Sequence, residues 1–293
     1  SETLITPNSS PNLTNRRLIT IMASLKDLQS LGQAVWLDFI SSELIASGEL
    51  ARRVAAGLCG LTSNPAIFEK ALARGSESVL VTALARQGLD AKAIYERIAI
   101  RDIQAAADAL RPVYDRTAGA DGFVSLEVSP DLARDTAGTL AEARRLWREV
   151  GRPNLMVKVP GTAAGVPAIR TLISEGINVN VTLLFAQAAY RAVAAAYLDG
   201  LEARAAAGAK IDGAASVASF FVSRIDTAVD AELEKKIAAS GNAGAARADL
   251  EALRGKAAIA NAKLAYRHYQ ELSGSPRWKK LAAAGARPQR LLW

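Results

Sequence analysis

The chain has 293 residues, 50% hydrophobic and 22% charged, which suits one large α/β domain, and no apolar run approaches the ~20 residues that cross a bilayer as a helix. With Cys59 as its one cysteine and His268 as its one histidine, a disulfide framework is excluded, serine-protease and zinc-hydrolase chemistry lack their usual base and ligands, and the cytoplasm is the fitting compartment. The net charge of +7 suits an anionic small-molecule substrate, but the basic residues form no block and no aromatic-interleaved stripe, so neither nucleic acid nor membrane is expected as a partner.

Residues 1–22 are polar, contain Pro7 and Pro11, and lack the apolar core of a signal peptide; they read as a disordered extension or leader ahead of a single domain over 23–293. A strand then ends at Trp36–Asp38, followed by a helix over 39–56 and a second strand over 57–63. Asn64 and Pro65 make an N-cap and first helical position for a helix over 65–86, and an Ala-rich helix covers 91–117. A third strand at 122–128, a helix at 132–150, a Val-rich strand at 154–160 stopped by Pro160-Gly161, and a helix at 166–175 come next. Strands at 177–182 and 214–221 flank a helix at 186–206; helices at 225–240, 245–272 and 278–284 follow, and residues 289–293 begin a seventh strand. Strands separated by helices of this length imply right-handed crossovers and a parallel sheet.

Four of these strands alternate in the same way. Asn154, Met156 and Lys158 share one face of the fourth strand, and Asn178, Asn180 and Thr182 share one face of the fifth. The first strand ends in Asp38 and the third carries Glu127. Polar groups near the C-terminal ends of several apolar strands are the layout of an α/β barrel of the (β/α)8 TIM type, whose functional groups converge on one mouth. A closed barrel of that type needs an eighth strand, so the sequence reads as one lacking its final strand and closing helices. Lys158 either snorkels to solvent or is held out of water, and desolvation favours the neutral, nucleophilic form of an amine.

The segments Gly60–Pro65, Val124–Pro130, Asn154–Thr162, Gly176–Phe185 and Ser216–Asp226 resemble, in order and spacing, the signature segments of transaldolase, over most of the chain from about Leu31 to Trp293. The long segments around 91–117 and 241–272 are similar to those of the longer bacterial type. The resemblance implies a transferase of the pentose phosphate pathway that needs no metal or cofactor. It moves a dihydroxyacetone unit from sedoheptulose 7-phosphate to glyceraldehyde 3-phosphate. By the same resemblance Lys158 forms the imine, Asp38 takes the proton from the C4 hydroxyl, and Glu127 with Thr182 and a water shuttles protons. Thr62, Asn64, Asn180 and Ser219 would hold substrate hydroxyls and Arg224 the phosphate, with room for a homodimer. Two other readings stay open: a simple fructose-6-phosphate aldolase, in which the related enzymes carry a tyrosine proton donor in place of the glutamate, and a non-catalytic barrel remnant. Each residue also has a plainer role open to it. Asp38 can favour a helix N-terminus, Asn180 and Thr182 can cap a strand, Asn64 can cap its helix, and Arg224 can be a surface arginine.

Overall fold

The computed structural model describes residues 24–293 except 74, 76 and 241–243, so the expected leader at 1–22 lies outside the described residues. Seven parallel strands pair in chain order: β1 (Trp36–Asp38), β2 (Gly60–Thr62), β3 (Phe123–Glu127), β4 (Leu155–Pro160), β5 (Val179–Leu184), β6 (Ser216–Phe220) and β7 (Arg290–Leu292). The sheet curls into a partial barrel of the TIM type, with helices packed on its outside. Beyond an opening helix α1 (Leu25–Ser30), these are α2 (Ser42–Ala46), α3 (Glu49–Ala56), α4 (Pro65–Ala73), α5 (Ser78–Arg86), α6 (Ala91–Arg116) and α7 (Thr136–Val150). They continue as α8 (Gly165–Glu175), α9 (Gln187–Ala206), α10 (Ser223–Ala239), α11 (Gly244–Ala252), α12 (Ala257–Gly274) and α13 (Pro276–Ala283). None of the helices in the described residues is long and apolar enough to cross a membrane.

The helix starts follow local chemistry: the side chains of Asp90, Asp135 and Ser275 accept from the backbone N–H groups of Ala93, Gly138 and Trp278. Three helices expected as continuous are each two. The first breaks at Gly48 (φ 72°), the second around Gly75 (φ 78°) and the third at Gly255 (φ 65°), where the left-handed backbone ends one helix before the next begins.

The alternation along the strands divides the interior into two packings. Outward-facing Leu37, Leu61, Val124, Leu126, Leu155, Val157, Val159, Val179 and Val181 join the helices in one large core. Inward-facing Phe123, Met156, Ala215 and Val217 form a separate small cluster with Trp36, Tyr114 and Leu292. Trp36 lies over Gly60, its register partner; a Cβ at Gly60 would stand 2.3 Å from the indole, so only glycine leaves the ring its place. Trp36 Nε1 donates to Asp121 (3.1 Å), which also accepts from Arg290 (3.2 Å), so one buried carboxylate joins β1, the approach to β3, and β7. β1 and β7 are not paired with each other, and a cleft of about 290 Å³ lined by Gly32–Trp36, Val217 and Arg290–Trp293 lies beside them.

Candidate active site

Above the inner apolar cluster, toward the strands' C-terminal ends, the inward positions become polar. β4 passes through the middle of the sheet with every residue buried, and Lys158 is only 6% exposed. Its Nζ donates to the Ser63 carbonyl at 3.1 Å and stands 3.5 Å from Glu127 Oε2, the residue paired with it in register on β3. Burial pushes the Glu127 carboxyl above its ordinary range; the Lys158 ammonium opposes the shift and the nearby Asp38 charge adds to it. Asp38 ends β1 with an exposed carboxylate, opposite Thr62 in register.

Asn180, fully buried and next to Lys158 in register, has its amide tied on both sides. Its Nδ2 donates to Ser125 Oγ (2.9 Å) and its Oδ1 accepts from Ser219 Oγ (2.6 Å), linking β3, β5 and β6 across the interior. Ser63 Oγ donates to the Ser125 carbonyl (2.7 Å), which anchors the β2 end whose own carbonyl holds the amine. Thr62 Oγ1 is buried without a hydrogen-bond partner among the described residues, a hydroxyl left open toward this layer. Thr182 is buried at the register position of Pro160.

The remaining candidates sit at the rim. Asn64 Oδ1 accepts from Ile67 N (3.0 Å), so it caps α4, and its amide N–H groups make no bond to the described residues. Arg224, exposed in the first turn of α10, has no carboxylate partner among the described residues and lies over the Phe221 ring, 4.5 Å from its centroid. Phe221 is itself stacked on Phe185 at 4.9 Å and 10°. A cavity of about 190 Å³ opens beside Glu127, lined also by Tyr95, Leu126, Val128 and Leu146.

The sequence-expected residues therefore converge, with Asp38, Thr62, Glu127, Lys158, Asn180, Thr182 and Ser219 all at inward-facing positions and Asn64 and Arg224 at the rim. The β5 boundary differs from expectation: the strand runs to Leu184, with a register irregularity between Val181 and Leu184 and Leu183 in a left-handed conformation (φ 60°). At that irregularity Thr182 and Leu184 are both buried while Leu183 is 40% exposed. Sequence reading missed Ser63 and Ser125. Ser125 lies at the inward parity between Phe123 and Glu127 and was accessible to the period-two argument; the Ser63 carbonyl carries no residue-type signal.

Residues 35–289 match the family model described as Transaldolase/Fructose-6-phosphate aldolase. The chain belongs to this family. Relatives named transaldolase include a protein of Thiobacillus denitrificans, 53% identical over 92% of this chain and 73% of its own length. Others are from Trichodesmium erythraeum, 48% identical over 92% of this chain and 71% of its own, and Neisseria gonorrhoeae, 45% identical over 93% and 73%.

Proposed function

We propose that the chain is a transaldolase, carrying a three-carbon dihydroxyacetone unit from a ketose phosphate to an aldose phosphate on the amine of Lys158. The observation that carries this reading is a single lysine held out of water between the Ser63 carbonyl and the Glu127 carboxylate. A free amine there attacks the C2 carbonyl of sedoheptulose 7-phosphate, and loss of water from the carbinolamine leaves an imine. Glu127, with Thr182 beside a bound water, gives and takes the protons of that step; a carboxyl raised by burial is suited to both directions.

Once protonated, the imine is an electron sink. Asp38 removes the proton of the C4 hydroxyl, the C3–C4 bond breaks, erythrose 4-phosphate leaves, and its bonding electrons rest as an enamine on the lysine. Attack of that enamine on glyceraldehyde 3-phosphate and hydrolysis of the new imine give fructose 6-phosphate. Thr62, with its open hydroxyl, Asn64, Asn180 and Ser219 hold the hydroxyls of the bound unit, and Arg224 meets the phosphate, for which a planar guanidinium is suited. The reading includes a cytoplasmic location, sugar phosphates as partners and a homodimer as the assembly.

The test is intact-protein mass after mixing with fructose 6-phosphate and borohydride. A reduced three-carbon adduct, absent from Lys158→Arg, is expected, whereas Asp38→Asn should trap the uncleaved sugar instead. Adduct formation by Lys158→Arg would remove the lysine from the mechanism. Turnover that requires an aldose-phosphate acceptor separates a transaldolase from a simple aldolase.

A further inference from the structure

The geometry points to Phe185 and Asn261 as positioning residues that hold the Arg224 guanidinium ready for the anionic end of the substrate, so that helix α12, remote in sequence, tunes anion affinity. This rests on the reading of Arg224 as the anion-binding group. Arg224 is exposed, no carboxylate or carbonyl among the described residues pairs with it, and its guanidinium lies over the Phe221 face. A long side chain restrained on only one side by an exposed cation–π contact samples many rotamers unless the ring beneath it is fixed.

That ring is fixed from below. Phe185 stacks on Phe221 almost in parallel, and Phe221 N donates to the Leu184 carbonyl (3.0 Å), so the ends of β5 and β6 present one layered platform. Phe185 is 38% exposed and lies just past the end of β5, two residues after Leu183 with its left-handed backbone. Its carbonyl accepts from Asn261 Nδ2 (2.8 Å) on α12. Asn261 is oriented in turn by Gln187 Nε2, which donates to both its Oδ1 (2.7 Å) and its backbone carbonyl (2.8 Å).

A second tie runs the other way. Asp226 Oδ1, two residues after Arg224 on α10, accepts from Ala258 N (2.8 Å), and Asp230 accepts from Gly255 N (3.1 Å). Helix α12 thus grips both sides of the arginine: the aromatic stack through Asn261 and the first turn of α10 through its own N-terminus. Losing either grip frees the guanidinium without touching the lysine.

The experiment uses the full chain and its Phe185→Leu, Phe185→Tyr and Asn261→Ala variants. Inorganic phosphate binding is measured by calorimetry, KM and kcat with fructose 6-phosphate by turnover, and lysine chemistry by the borohydride adduct with unphosphorylated dihydroxyacetone. Phe185→Leu and Asn261→Ala should weaken phosphate binding and raise KM about two- to five-fold, the size of an exposed cation–π contact, with kcat and the adduct kept. Phe185→Tyr, which retains the stacked ring, should bind as the parent does. Parental phosphate affinity in Phe185→Leu overturns the proposal, as does an equal loss in Phe185→Tyr. Failure of the parent to form the adduct would instead count against the lysine reading, while the calorimetry still decides the role of the stack.

Discussion

Replacing Lys158 with methionine keeps a stem of similar length and removes the ammonium, which strands Glu127; replacing Glu127 with glutamine does the converse. At 3.5 Å, two unit charges in a medium of effective dielectric near 20 attract by about 5 kcal/mol. Both side chains are 8–14% exposed, so desolvation offsets much of that attraction, and the coupling in a double-mutant cycle should be about 2 kcal/mol. Urea denaturation of the parent, the two single variants and the double variant measures it. The pH dependence supplies a sign. Burial already raises the Glu127 carboxyl above its ordinary value, and Lys158 is the group that pulls it down, so Lys158→Met raises it further. A carboxyl whose folded pKa is raised gives stability that is full below the unfolded value and lost as pH rises through the folded one. Lys158→Met should therefore fall further behind the parent as pH rises above the ordinary carboxylate range, and the double variant should show no such drift. A coupling below about 0.5 kcal/mol, or a pH-independent gap, would refute the claim that the carboxylate senses the amine.

Thr62→Val replaces an orphaned buried hydroxyl with a methyl, so the fold should be unchanged or stabilised by up to about 1 kcal/mol while KM for the donor rises; a clear loss of stability would show that the hydroxyl is already satisfied. Gly165→Ala puts a Cβ 1.9 Å from the Pro160 carbonyl oxygen, where β4 ends, and should cost about 2–3 kcal/mol and slow imine trapping; an unchanged melting temperature would contradict that contact. Ala118 is exposed with φ 50° just after the end of α6, so Ala118→Gly should raise stability by roughly 0.5–1 kcal/mol in thermal denaturation, and a loss would mean its methyl packs usefully.

The inward residues were legible because a strand has a period of two. Once Lys158 is placed, Asn154 and Met156 follow, and the same parity reaches Asn180, Thr182 and Glu127. Asn64-Pro65 was legible as a cap because its chemistry is local, and Asn64 does cap α4. Glycine breaks were harder, since an isolated glycine is tolerated in an Ala-rich helix and only the backbone shows that Gly48 and Gly255 have positive φ. Least legible were pairings that no local pattern encodes. Asn261 meets the Phe185 carbonyl across 76 residues, and the β5 bulge shows only in the register of β5 against β6.

The two packings within this barrel differ in what they leave free to vary. The helices hold the outer faces of the strands through one continuous core, whereas the inward positions touch mainly one another and the space above the indole of Trp36. A substitution at Ser125 or Ser219 alters hydrogen bonding to Asn180 without moving a helix, because alternate residues on the same strand pack against the helices. The polar inward layer and the apolar outward scaffold thereby fall on different parities of the same strands, so exchanges confined to the inward polar layer should carry little penalty to folding.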